Sequence, residues 1–485
     1  MLIRIQNILE RGLGLSPSET WTSGRLAASA ALALLVAGAV PLAVYALSRS
    51  DDGGLRPVIL SAVVLPAAWL ALRESAFLFD YFIIVSALNR LLRRVLDWST
   101  ATYDPQPLSS TMAPLIGALA ALAVARRWPS LPTFARRAAL CLMAGLVYGL
   151  AMGWQHRTGA LFALANYVMP LAFLFYPMAV RATPEVVDRW LRTTVTVGLV
   201  VAVYGWVQWA VVPPWDAAWV RWSRMYTSMG QPIPFRMGIC STLESRGPFA
   251  WFMATVGIIM LAGRQWRWPW GWAGAAVVAG AAVLSTARTA WGFLILSVGV
   301  YALLRGGRGI AQVGLACAAV MAVVVAALPY LPESDRLVSR VESLQNIGQD
   351  GSFRGRVTIA QHGSWMILTT PQGFGLGSTG LASKLTQTGG VIGDNGYLEL
   401  LANFGLPGFA ALAVGVGIIV VHVAEQRRQT NADHAHLALA MLAGGLVFLI
   451  IGNWVSGPYA AVVFALLGAT AMPTTRSTLA FSTRS

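Results

Sequence analysis

Residues 400–423 read LLANFGLPGFAALAVGVGIIVVHV, twenty-four positions without an Asp, Glu, Lys or Arg. Wound as a helix the stretch is about 36 Å long, and the hydrocarbon core of a bilayer is about 30 Å thick. It reads as a membrane span. Working outward, apolar runs recur at about 26–48, 57–72, 76–90, 111–125, 137–154, 159–180, 191–212, 249–263, 270–286, 288–304, 309–330, 436–452 and 457–472. Several are shorter than a full span, and 76–90 contains Asp80, so the sequence predicts twelve to fourteen crossings. The expected fold is all-α, a polytopic transmembrane helix bundle with two long outer loops.

Composition points the same way. Of 485 residues, 56% are hydrophobic and 11% charged, against about 25% charged in a soluble globular chain. A soluble enzyme, a secreted disulfide scaffold and a disordered binder are excluded. The net charge of +15 is spread along the chain with no basic arm, so no nucleic acid partner is implied. Of the 35 basic residues only Lys384 is a lysine. The arginines suit anionic headgroups, their rigid forks of donors matching phosphate oxygens. Cys141, Cys240 and Cys317 cannot build a disulfide framework. The five histidines are scattered, so neither a metal site nor a Ser-His-Asp arrangement is expected.

The runs divide the chain. Residues 1–24, with Leu2, Ile5, Ile8, Leu9 and Leu13 beside Arg4 and Arg11, read as an amphipathic cytoplasmic helix on the membrane surface. A transmembrane bundle follows over 25–212, a periplasmic loop over 213–248, further helices over 249–330, a large periplasmic loop over 331–399, helices again over 400–472, and a cytoplasmic tail over 473–485. Orientation rests on the basic residues: with fourteen crossings and the N-terminus inside, inner segments carry 19 against 7 in the short outer ones. Both termini are expected in the cytoplasm.

Polar chemistry gathers in the two outer loops. Trp215, Trp219 and Trp222 share one helical face, an interfacial anchor or a platform for sugar rings. The loop continues as Phe235-Arg236-Met237-Gly238 and reaches Pro248-Phe249-Ala250. Ser285-Thr286-Ala287-Arg288-Thr289-Ala290-Trp291 follows between two apolar runs, so Arg288 sits at the outer membrane boundary. A guanidinium there either snorkels or meets an anion; with Arg236 on the same side, two forks could neutralise a pyrophosphate. The second loop holds Arg354 and Arg356, then His362 on a helical pattern, then Pro371-Gln372-Gly373-Phe374-Gly375-Leu376-Gly377-Ser378, whose glycines could bring backbone amides close to an anion or form a plain turn. Asp394, Asn395, Tyr397 and Glu399 stand at the mouth of the next helix, where acids also serve as caps.

In this order the pieces resemble the O-antigen polymerase and O-antigen ligase superfamily, the Wzy and WaaL types. The likeness covers mainly 230–410. It rests on Arg236 with Gly238 ahead of Pro248-Phe249-Ala250, on Ser285-x-x-Arg288-x-Ala290-Trp291, on Arg356 ahead of the alternating glycines, and on Asp394-Asn395 with nine residues before Gly405-x-x-Gly408. Ligases carry a histidine where this chain has Asp394. The resemblance implies a GT-C-like, metal-independent glycosyltransferase of the bacterial inner membrane, without a cofactor, acting on undecaprenyl-pyrophosphate-linked glycans at the periplasmic face. It implies Asp394 as general base with His362 as the alternative, Arg288 and Arg236 on the pyrophosphate helped by Arg354 or Arg356, and Asn395 and Tyr397 on substrate. Joining of repeat units into O-antigen or exopolysaccharide is the expected activity, beside a flippase and a chain-length regulator. Transfer of polymer to lipid A core and lipid-linked oligosaccharide transport are the alternatives; transport would need ionisable groups or broken helices at the midplane, and Asp80 is the main such group.

Overall fold

The computed structural model describes residues 55–103, 108–307, 314–315, 332, 351–385, 395–427 and 432–472. The 1–24 segment, the 26–48 run, most of 309–330, Asp394 and the 473–485 tail lie outside them. The protein is an all-α polytopic membrane protein; among the described residues the only β-contact is a bridge between Gly230 and Met237. The main helices are α1 (Leu55–Leu72), α2 (Phe77–Ser99), α3 (Met112–Arg126), α4 (Thr133–Met152), α5 (Thr158–Ala179), α6 (Pro184–Val211), α7 (Pro214–Ser223), α8 (Arg246–Ala262), α9 (Gly271–Leu284), α10 (Arg288–Arg305), α11 (Gly351–Thr369), α12 (Gly396–Gln426), α13 (Ala432–Phe448) and α14 (Ala460–Thr470). Four of them, α4, α5, α6 and α12, are long and apolar enough to cross a bilayer. The shorter apolar helices α1, α3, α8, α9, α13 and α14 fill the bundle between them.

Sequence neighbours are not always packing neighbours. The α12 helix lies along α4, and α14 lies along α5, so helices from the last quarter of the chain pack on helices from its first half. Gly145 and Gly149 on α4 explain the closeness. A side chain at Gly145 would meet the Gly408 carbonyl oxygen at 2.8 Å, and one at Gly149 would meet the Phe404 ring at 2.6 Å. Small residues four apart let helix backbones approach where lipid supplies no hydrophobic drive.

The apolar run expected at 76–90 belongs to a helix that continues to Ser99. It crosses from apolar into charged sequence because its charges have partners. Near its start, Asp80 accepts from Arg189 at 3.0 Å and from Thr193 at 2.6 Å. Near its end, Arg93 meets Asp97 at 3.4 Å, and Arg94, 1% exposed, meets the fully buried Asp216 of α7 at 2.8 Å. Around that second pair a network closes. Gln208 and Tyr204 of α6 each donate to Asp216 at 2.8 Å, and the Gln208 carbonyl oxygen accepts from the backbone N–H groups of Cys240 and Ser241 at 2.9 and 2.7 Å. Arg94 also donates to the Ser241 carbonyl. Burial pushes the Asp216 carboxyl above its usual range and the Arg94 guanidinium pulls it back; with three donors on it, the carboxylate serves as an acceptor.

The tryptophans of α7 take part. Trp219 is 4% exposed beneath the Arg94 guanidinium, and the Trp215 indole donates to Tyr204 at 2.6 Å. Trp219 therefore packs inward, while Trp215 is half-buried between Tyr204 and Trp98. What they fix is the path of the loop from Val212 to Glu244.

Removing one partner of a buried ion pair typically costs about 3–5 kcal/mol. Asp216→Asn and Arg94→Met are each expected to lower the unfolding temperature of the detergent-solubilised protein strongly. The double change Arg94→Met with Asp216→Leu should recover part of the loss.

Candidate active site

The antiparallel run of helices gathers one set of polar groups at one end of the bundle. A cavity of about 220 Å³ lies there, lined by the middle of α2, the first half of α5, the first turns of α3 and α12, and the chain entering α8 and α14. Arg90 and Glu244 stand on its wall in an ion pair of 3.0 Å. Tyr167 of α5 and Glu399 and Asn403 of α12 line the cavity as well. The Asn403 amide donates to Thr379 at 2.8 Å and to the Tyr167 hydroxyl at 3.2 Å, and Asn453 donates to the same hydroxyl at 3.1 Å. Glu399 is close enough to act electrostatically on Tyr167.

Beside the cavity runs a row of arginines. Arg246, two residues beyond Glu244, donates to the Thr286 hydroxyl at 3.0 Å, and Arg288 opens α10 two residues later. Gly238 lets the Arg246 stem pass: a Cβ there would lie 2.5 Å from its Cδ. Arg236, exposed, sits two residues before that glycine on backbone held by the Gly230–Met237 bridge and by the Gly238 N–H bond to Met229, 2.6 Å. Arg246 thus touches the turn that holds Gly238, two residues after Arg236, and the Thr286 hydroxyl, two residues before Arg288. Sequence reading passed over Arg246; its place between Glu244 and Pro248, in the turn entering a span, was the available signal.

The entrance of α12 meets the same end. Asn395 caps the helix, its side-chain oxygen accepting from the Leu398 N–H at 3.1 Å, and the Tyr397 hydroxyl donates to the Leu446 carbonyl at 2.7 Å. Both side chains serve the helix start. Gly396 packs on Leu449 and Gly452, while Gly292, one turn into α10 from Arg288, packs on Phe448. Segment 448–452 is therefore shared by the helix that Arg288 opens and the helix that Asp394 precedes. The α11 helix rests on α12 through Ala360 and Ile367, near Leu398 and Ala402. His362 is exposed on roughly the opposite face of α11. Arg354 is exposed and Arg356 half-buried in its first turns, and none of these three lines the cavity.

The glycine run is a strap rather than an anion cradle. The amides of Phe374 and Gly375 donate to the Ala402 carbonyl at 2.7 and 3.2 Å, and that of Leu376 to the Gly149 carbonyl at 2.8 Å. Gly375 has φ +84°, and a Cβ on it would lie 2.0 Å from the Gly153 nitrogen. Gly405, at φ +59°, breaks α12 where the strap crosses and leaves no room for a side chain against the Gln372 carbonyl. Tied to α4 and α12, the strap delivers Thr379 to the cavity. Among the described residues no three His, Cys, Asp or Glu side chains gather into a metal-holding group.

A family model described as O-antigen ligase matches residues 273–413. The chain carries an O-antigen ligase domain. The match spans less than a third of the chain and supports the O-antigen ligase and polymerase superfamily. Comparison with curated proteins and with solved structures gives no match. The matched domain supplies Arg288, the glycine strap, Glu399, Asn403 and the Gly405 break. The other half of the cavity wall, with Ser86, Asn89, Arg90, Tyr167 and Glu244, comes from outside it.

Backbone cannot yield as a flexible side chain can. Gly375→Ala combines left-handed strain of about 1–3 kcal/mol with overpacking of about 1–3 kcal/mol. Thermal unfolding is expected to show a loss of that combined order, whereas Gly299→Ala on α10, with open space around it, should leave the unfolding temperature unchanged or slightly raised.

Proposed function

We propose that the protein is a membrane glycosyltransferase that joins undecaprenyl-pyrophosphate-linked repeat units into O-antigen or exopolysaccharide at the periplasmic face of the inner membrane. The observation that carries this reading is the Arg246–Thr286 bond, between the Arg236 turn and Arg288, close in the chain to a carboxylate-bearing cavity, in a chain that an O-antigen ligase family model matches over residues 273–413.

The reaction makes few demands. A lipid pyrophosphate is already a good leaving group, so the protein must hold it, align an acceptor hydroxyl and take one proton. Arg288 and Arg236, with Arg354 or Arg356 closing from α11, seat the pyrophosphate and stabilise the charge that grows on it. The acceptor oxygen attacks the anomeric carbon and the bond to the pyrophosphate oxygen breaks, its electron pair leaving with the carrier lipid. The hydroxyl proton passes to the Asp394 carboxylate. Displacement from the opposite face inverts the anomeric configuration.

A ligase reading, transfer of finished polymer to lipid A core, is favoured by one observation: the description of the matching family. Asp394, where ligases carry histidine, favours polymerisation. The two readings differ in what accumulates. Loss of a polymerase leaves single repeat units, whereas loss of a ligase leaves full-length polymer on its carrier.

A positioned general base is worth about 10²–10⁴ in rate. Asp394→Ala and Arg288→Ala, expressed at wild-type abundance in a deletion strain, are each expected to abolish polymer and leave single repeat units on gels of surface glycans. Undiminished polymer with Asp394→Ala would remove that residue from the reaction.

A further inference from the structure

The glycosyl-transfer reading assigns hands to the phosphate and to the proton but none to the sugar. The cavity supplies candidates. Its volume of about 220 Å³ equals that of roughly seven waters at about 30 Å³ each, room for one ring rather than a chain. Two atoms on its α2 wall stand out. The Ser86 hydroxyl and the Asn89 side-chain oxygen are buried, on residues 4% and 6% exposed, and have no hydrogen-bond partner among the described residues. Nearly all buried polar atoms in folded proteins are paired, so each such exception requires an explanation. Here the two are one helical turn apart on the same helix, and both residues line the same cavity.

In the same lining, the Tyr167 hydroxyl already accepts from two amides, Asn403 and Asn453. Its own O–H is the group's remaining donor. Met169, Leu243 and Pro114 add apolar surface to the same lining. A rim of acceptors and donors around an apolar patch matches a pyranose ring, which carries hydroxyls at its edge and C–H groups on its faces.

We propose that Ser86 and Asn89 form a sugar-recognition subsite, holding one ring of the lipid-linked glycan in this cavity by accepting hydrogen bonds from its hydroxyls. The inference rests on the glycosyl-transfer reading and adds to it the part of the chain that reads the glycan. That part lies on α2, far in sequence from the matched domain. A site that pairs with substrate hydroxyls discriminates strongly against sugars whose hydroxyls point elsewhere, because its buried groups are then left unpaired.

The test uses the purified full-length protein in lipid nanodiscs and saturation-transfer NMR with free glucose, galactose, mannose, rhamnose and N-acetylglucosamine. At least one of these is expected to receive saturation from the wild type. Ser86→Ala and Asn89→Leu should each weaken that binding at least tenfold, while Trp365→Ala, on the exposed face of α11, leaves it unchanged. Ser86→Ala should also unfold at or above the wild-type temperature, since it removes an orphaned hydroxyl and no contact; this separates a recognition role from a structural one. Absence of binding by the wild type, or wild-type binding by both α2 variants, overturns the proposal. Sugar binding that persists in a protein shown to transfer no glycan in cells would keep the subsite and remove the reaction.

Discussion

The bond between Arg94 and Asp216 organises the end of the molecule where chemistry is proposed. Two charges lie out of water at the head of a membrane bundle, which is tolerable only because each is surrounded by further partners: Gln208, Tyr204, the Ser241 carbonyl and the Trp219 ring. Through Gln208 the pair also fixes the Cys240–Ser241 turn. The loop that carries Arg236, Glu244 and Arg246 is thereby pinned to α2 and α6. Without that pin a long loop would have little to fix its path past Glu244 on the cavity wall.

A second constraint acts from the far side. The strap at 373–377 ties α4 to α12 by main-chain bonds, and its crossing breaks α12 at Gly405. The short turn of α12 ahead of the break carries Glu399 and Asn403 into the cavity. One polar site is therefore framed by two devices of different kinds, a buried ion pair and a backbone-to-backbone contact that admits only glycine. The cavity between them draws its walls from both halves of the chain. A family pattern confined to 273–413 covers Arg288 and the α12 entrance but leaves the α2 wall undescribed.

Much of this was legible in the sequence. Long apolar runs such as 191–212 and 400–423 became the helices α6 and α12, because twenty uncharged positions have few other fates. Arg236 and Arg288 were visible as guanidinium groups at a boundary where charge needs a reason. Other features were hidden because they are long-range. Nothing local in Arg94 announces a carboxylate 122 positions away, and the indole spacing at 215–222 fits a membrane anchor as well as a buried face. The alternating glycines fitted a plain turn or amides close to an anion; the Phe374, Gly375 and Leu376 amides are spent on Ala402 and Gly149, which periodicity cannot reveal. Ser86 and Asn89 carry no local mark of a site within the 76–90 run; only the packed bundle leaves their oxygens unpaired among the described residues.

The account stands on the guanidinium row gripping a diphosphate, and lipid retention measures that directly. Full-length protein released from nanodiscs into native mass spectrometry, after loading with undecaprenyl pyrophosphate, is expected to retain the lipid in the wild type. Arg288→Ala and Arg236→Ala should lose it at least tenfold, and undecaprenol, which has no phosphate, should be retained by none of the three. Equal retention of undecaprenyl pyrophosphate by wild type and both variants would contradict the account.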